Sequence, residues 1–267
     1  MKNIFFKTTA LAILGGSLFA ASTLAIAGIA NTKHNLGSAG TGDNKYSGTA
    51  EICVFCHTPH GSDTSATVPL WNKSLPAANT FTTYDTLGTT TLDGATANVG
   101  SVSVACLSCH DGAQAMDTVI NQPGSGSVVA SYGAGSWTGN STPQGIAAIG
   151  KDLTNDHPVG IQYAGGGLIS TDANDTTHST FNDPDFKAAY KKEINTKPVW
   201  WVDTGGAGVR EKTDMQLYSR PSTDVGGGAT TEPFVECASC HDPHSENTTF
   251  LRISNNNSAV CLACHTK

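Results

Sequence analysis

Four stretches of the chain repeat one arrangement of thiols and imidazole: Cys53-Val-Phe-Cys56-His57, Cys106-Leu-Ser-Cys109-His110, Cys237-Ala-Ser-Cys240-His241 and Cys261-Leu-Ala-Cys264-His265. Together they use all 8 cysteines. The chemistry that needs this spacing is covalent attachment of haem c. The two thiols become thioethers to the porphyrin vinyl groups, and the histidine beside the second is held against the iron as an axial ligand. Cys53, Cys56, Cys106, Cys109, Cys237, Cys240, Cys261 and Cys264 are therefore read as attachment points for four haems, with His57, His110, His241 and His265 as proximal ligands. Zinc ribbons also use Cys-x-x-Cys pairs, but they have no need of a histidine after the second cysteine four times in four. A disulfide framework or a redox-active Cys-x-x-Cys leaves the same histidines unexplained.

The second axial position decides between electron transfer and catalysis. Of 9 histidines, those outside the motifs are His34, His60, His157, His178 and His244. Met116 and Met215 are read as packing side chains, so four bis-histidine haems of low potential are expected. His60 and His244 follow their own motifs across Pro59 and Pro243, on the side of the porphyrin already taken by His57 and His241. Each must therefore serve a different haem, which forces two macrocycles together. His157 lies between Asp156, able to orient an imidazole, and Pro158, which stiffens the loop. His34 completes the distal set. His178 lies in a polar Asn, Asp and Thr stretch and is left out, although it could replace any one of the four.

The elements that must position these groups are sparse. Only 14% of residues are charged and 7% aromatic, while Gly numbers 29. A chain of this length with so little leucine and isoleucine has too little apolar side-chain volume for an ordinary core, and porphyrin faces are expected to fill it. The expected fold is a multihaem cytochrome c, mostly irregular, with few short helices and strands around a chain of four stacked haems. Thr80 to Thr91 reads as short strands or loops. Asn182 to Lys192 carries a helix start with Pro184 early. Val199–Val202 and Met215–Tyr218 read as a hairpin, and Met215 as facing a ring or the core. Cys237 and Cys261 are close enough in sequence for neighbouring haems. No long amphipathic periodicity supports a helical bundle.

Residues 1–30 read as an export signal: Lys2 and Lys7, an apolar stretch from Ala10 to Ala21, and small residues that allow cleavage after Ala27 or Ala30. The rest, 31–267, is expected to form one tetrahaem domain with a Gly-rich, haem-free insertion at about 111–236. The product should be exported, extracellular or at the cell surface with the periplasm as alternative, and without a membrane span once the signal is removed. A formal net charge of −7 leaves no basic patch for nucleic acid.

The segments Thr32-Lys33-His34-Asn35-Leu36, Cys53 to His60, Cys106 to Asp111, Asp156-His157-Pro158-Val159 and Cys237 to His244 resemble the extracellular tetrahaem cytochromes of metal-reducing bacteria, and within them the OmcE-like filament family. The resemblance implies bis-histidine haems in a continuous chain, few regular elements, and head-to-tail homopolymers that pass electrons from donor proteins to minerals, electrodes or other cells. It further implies a histidine given by one subunit to a haem of the next, His60 first and His34 second. A soluble periplasmic tetrahaem shuttle is the alternative. A multihaem reductase with an open iron position is disfavoured, because no motif replaces its final histidine by lysine and spare histidines suffice to fill every distal position. No Ser-His-Asp group, phosphate loop or paired-carboxylate site is visible, so an electron carrier is expected and not an enzyme.

Overall fold

The computed structural model describes residues 28–123, 130–167, 176–178, 181–227 and 231–267. Nearly all of the expected export segment, and part of the Gly-rich stretches, lie outside them. Among the described residues no helix is long and apolar enough to cross a membrane. Four short helices are present: α1 (Ser101–His110), α2 (Ala130–Gly133), α3 (Cys237–Cys240) and α4 (Ala259–Cys264). Single 3-10 turns and irregular backbone link them.

The strands form two antiparallel sheets. The smaller pairs β1 (Lys45–Tyr46) with β2 (Trp137–Thr138). The larger has the order β3-β8-β7-β6-β5-β4, built from β3 (Ile161–Gln162), β4 (Thr176–His178), β5 (Ala189–Ile194), β6 (Lys197–Val202), β7 (Met215–Pro221) and β8 (Thr231–Val235). All of it falls in the segment expected to be a Gly-rich insertion, which is thus the most regular part of the molecule. The expected hairpin is present, with Trp200 opposite Leu217 and Val202 opposite Met215. Trp200, Val202, Met215 and Leu217 are buried there with Ile161, Tyr163 and Ala189, so Met215 faces the core.

One local expectation is corrected. No helix forms over Asn182 to Lys192, and the end of that segment is strand β5. Asn195 and Thr196 both adopt positive φ, 51° and 62°, and close a two-residue loop between Ile194 and its partner Lys197. That is the mirror-image turn whose twist suits a hairpin. Ala189 and Lys191 alternate inward and are fully buried, the period of a strand and not of a helix. Upstream of β5, the Asp185 carbonyl and the Lys187 amide bond to Thr266 and Cys264, and so are committed to the fourth motif. Of the two expectations for Thr80 to Thr91, short strands or loops, the structure shows the loop, with 3-10 turns at its start and at Tyr84–Leu87.

Helix α1 lies at the centre. Val102, Ser103, Val104, Ala105, Leu107 and Ser108 are all buried, so small and apolar residues surround its axis. Its N-terminus meets α3 through one carboxylate. The fully buried Glu236 side chain accepts from the Gly100 amide at 3.0 and 3.1 Å, from the Ser103 hydroxyl at 2.6 Å and from Arg220 at 3.1 Å. Glu236 is also the N-cap of α3, exchanging hydrogen bonds with Ser239, and the Cys237 amide donates to Ser103 Oγ at 2.9 Å. Gly100 must be glycine here, because a Cβ would stand 2.3 Å from Glu236 Oε1. Burial pushes the Glu236 carboxyl upward, opposed by Ser103, Arg220 and Gly100. Glu236→Ala should destabilise the haem-loaded protein by about 3 kcal/mol, because it orphans the Gly100 amide and the buried Ser103 hydroxyl and removes the cap of α3, while Arg220 keeps Asp224 and the Asn98 carbonyl. A fall in the denaturant midpoint with unchanged haem content is the expected result.

Candidate haem sites

Each motif is folded onto one helical turn. The His57, His241 and His265 amides bond back to the carbonyls of Cys53, Cys237 and Cys261 at 2.7, 3.1 and 2.9 Å, and His110 ends α1. One helical turn sets residues three and four apart on the same face. Both thiols and the imidazole of each motif therefore project together, which explains why the spacing is what it is. The cysteines are all free.

Burial raises the thiol pKa of Cys56, Cys106, Cys109, Cys237, Cys240 and Cys264. Burial pushes Cys56 and Cys264 up to about 12 and Cys237 up to about 11. Reactive or zinc-bound cysteines sit in surroundings that do the reverse. The same sulfurs show the spatial order of the motifs. After burial, the next influences raising Cys106 are Cys237, Cys109 and Cys56. Cys109 acts likewise on Cys56, and Cys240 on Cys264. The four sites thus run first to second, second to third and third to fourth, and the expectation that Cys237 and Cys261 belong to neighbouring sites matches this order.

Polar clamps fix each junction. Between the first two motifs, Asn72 donates from Nδ2 to the carbonyls of Val54 and Asn121 at 2.6 and 2.8 Å, and its Oδ1 accepts the Asn121 amide at 2.8 Å. The buried Lys73 ammonium donates to the carbonyls of Ala115, Met116 and Thr118 at 3.0, 3.4 and 2.6 Å. Met116 packs with Leu36, Val54 and Phe55 in a cluster that Cys56 and Cys109 also touch. Glu236 holds the second motif to the third. Beside the third, Arg252 grips the Ala238 carbonyl through Nε and Nη2 at 3.0 and 2.9 Å, while its amide donates to Cys240 at 2.8 Å.

The imidazoles share one polarity. His57, His110 and His241 each engage a backbone carbonyl through Nδ1 at 2.7 Å, those of Pro69, Ala147 and Thr249. A donated Nδ1–H fixes the tautomer and leaves Nε2 with its lone pair for a metal, the pattern that orients histidine ligands. His34 and His157 do the same toward Pro243 and Pro158 at 3.2 and 3.1 Å, and His244 toward Asp242 at 3.3 Å. For His157 this corrects the expectation from sequence, since its acceptor is the Pro158 carbonyl and not the Asp156 carboxylate. Burial, then neighbouring His110, His244 and His241, draw His34 down to about 4 against the Pro243 hydrogen bond, so its ring stays neutral.

Spacing joins motif and non-motif histidines in pairs. The His34 and His110 ring centres are 6.2 Å apart and those of His57 and His244 6.3 Å apart. Two imidazoles bound on opposite faces of one metal, each nitrogen about 2 Å from it and each ring centre roughly 1 Å farther out, stand about 6 Å apart. After burial, His157 is the largest influence lowering His265, ahead of the opposing Asp183 and Asp185. His244 thus lies against the first motif and not its own, as its sequence position requires. No ring stands opposite His241 among the described residues. His60 is exposed, and no described ring or charged group meets its imidazole. His178 belongs to β4. Sequence reasoning missed Phe250, which stacks on His34 at 4.0 Å. Thr249 and Phe250 both hold positive φ, 53° and 60°, an unusual state for such residues that serves His241 and His34 at once.

The residues fit haem c: paired thiols on one face, Nε2 lone pairs, and ring spacings that leave room for one iron. The family model of the doubled CXXCH motif matches residues 232–267, which span the third and fourth motifs. That match fits a multihaem c-type cytochrome. The motifs mark covalent haem c binding and electron transfer. No curated protein matches the chain. His34→Ala should leave covalent haem content intact and turn one haem from low to high spin, as should His157→Ala, whereas His178→Ala should change nothing. Electronic and paramagnetic resonance spectra of the three variants check this.

Proposed function

We propose that the chain binds four bis-histidine haems and acts as the subunit of an exported, extracellular cytochrome filament that conducts electrons to external acceptors. The observation that carries this reading is a mismatch among the described residues: none of their imidazoles faces His241, while His60 is exposed and no described ring or charged group meets its imidazole. An acceptor and a donor that do not meet within one chain call for a heterologous, head-to-tail contact, which generates an open helix. In this pairing His34, the second candidate donor, is spent on His110.

When bound, haem supplies a one-electron couple at its iron. The chain's part is placement and tuning. Carbonyls on Nδ1 orient the rings and make Nε2 more basic, which favours the oxidised state and low potentials. Clamps at Asn72 and Lys73, at Glu236, and at Arg252 keep the motifs in register, so that little rearrangement accompanies a change of charge.

The same open position over His241 supports a second reading, a monomeric reductase with a substrate site at that iron. His60→Ala separates them. Under the filament reading, negative-stain images show loss of filaments, intact mass still reports four haems, and a high-spin signal appears that wild-type filaments lack. Intact filaments after the substitution, or a high-spin haem already present in the wild type, would overturn it.

A further inference from the structure

The turn Gly28–Asn31, a single turn of 3-10 helix, lies where the two candidate cleavage points of the export signal fall. It is built into the fold against the loop that follows the third motif. A Cβ on Gly28 would stand 2.3 Å from Glu246 Oε1 and 2.5 Å from Cδ, so the glycine α-carbon rests on that carboxylate. Asn31 Nδ2 donates to the same oxygen at 3.3 Å. The Ile29 carbonyl accepts the Thr32 amide and hydroxyl at 3.1 and 3.0 Å, and the Ala30 carbonyl accepts Asn35 Nδ2 at 2.8 Å. Thr32 and Asn35 are buried. Thr32 Oγ1 in turn accepts the His34 amide at 3.3 Å, so the turn supports the imidazole that faces His110.

These bonds separate the two cleavage points. Cleavage after Ala30 would remove the Ile29 and Ala30 carbonyls and leave buried donors of Thr32 and Asn35 without acceptors, which is unfavourable. Cleavage after Ala27 breaks none of them. Among the described residues Glu246 accepts from Asn31 and pairs with no cation. The cations that line the same cleft are committed elsewhere: Lys212 to Asp242 at 3.5 Å, and Arg252 to the carbonyls of Ala238 and Lys212. From the position of its α-carbon, the Gly28 nitrogen lies within about 5 Å of Glu246 Oε1. At that range opposite charges favour each other's charged forms.

We infer that export processing hydrolyses the Ala27–Gly28 bond and that the Gly28 ammonium so formed pairs with the Glu246 carboxylate. This rests on the reading that the residues before Gly28 are an export leader. Ala25 and Ala27 are the small residues that a signal peptidase accepts before its cleavage point. Water gives its hydroxyl to the Ala27 carbonyl carbon and a proton to the Gly28 nitrogen as the amide bond breaks. The new carboxyl then loses its proton and the amine gains one, which leaves one carboxylate and one ammonium. With the leader attached that nitrogen is an uncharged amide, so the pair belongs to the processed chain alone.

The secreted, haem-loaded protein should give an intact mass that starts at Gly28 and includes four haems. Acylation of the Gly28 α-amine at neutral pH, read by peptide mass spectrometry, should run about two- to fivefold faster in Glu246→Gln, the span of an exposed ion pair. The sign follows because an unpaired amine is less protonated and more nucleophilic. A chain that keeps its leader would defeat the export reading. A secreted chain that begins at Asn31 would overturn the proposal alone, as would a Gly28 α-amine acylated equally fast with Glu246 and with Gln in its place.

Discussion

The buried Glu236 carboxylate holds the N-terminal ends of two motif-bearing helices, taking the Gly100 amide, the Ser103 hydroxyl and Arg220 while capping α3. Buried charge is expensive unless it is paired and fully hydrogen-bonded, so this contact tolerates little displacement. Because α1 ends in the second motif and α3 carries the third, the constraint passes directly to the relation between two haem sites. A hydrophobic contact would set a distance loosely. A carboxylate with fixed donors sets both distance and direction.

The same logic recurs at the other junctions, and composition explains why. With Gly abundant and aromatics scarce, apolar clusters are small and separate: one under the large sheet, one around Phe55 and Met116, one around Leu107. Asn72, Lys73 and Arg252 bridge them by chelating backbone carbonyls. Such groups also leave fixed charges near particular motifs. Lys73 acts on the thiols of the first two sites and Arg252 on Cys240, so the electrostatic surroundings of the four sites are unequal by construction.

The attachment chemistry was legible in the sequence because it is local: Cys-x-x-Cys-His is one helical turn, and its meaning does not depend on the rest of the fold. His244 was legible for a similar reason, since a proline-stiffened turn keeps it from its own iron. Helix α1 was not. Mostly buried, with only the motif face of Cys106, Cys109 and His110 partly covered, it has no charged face and so no amphipathic period to detect. The large sheet was only half visible, because Trp200 and Met215 mark a hairpin while β3 is two residues long and recruited across a long separation. At Asn182 to Lys192 a local helix signal lost to a tight hairpin turn and to pairing with the fourth motif, a contact between distant segments that no local pattern encodes.

The spatial order of the motifs has a consequence for how charge could enter and leave. Cys53 and Cys261, the leading thiols of the first and last sites, are exposed, whereas both thiols of the second and third are partly covered. The array therefore has covered middle members and surface-facing ends. A carrier that exchanges electrons through one site needs one such end; two are useful only if current passes through. On the proposed reading the spare His60 follows the first motif, at one end of the array, while the open position lies over His241 in the third, a covered middle member. A contact joining them would set the first site of one subunit against the third of the next, and the exposed fourth site would stand as a surface outlet beside the line of sites that continues from chain to chain.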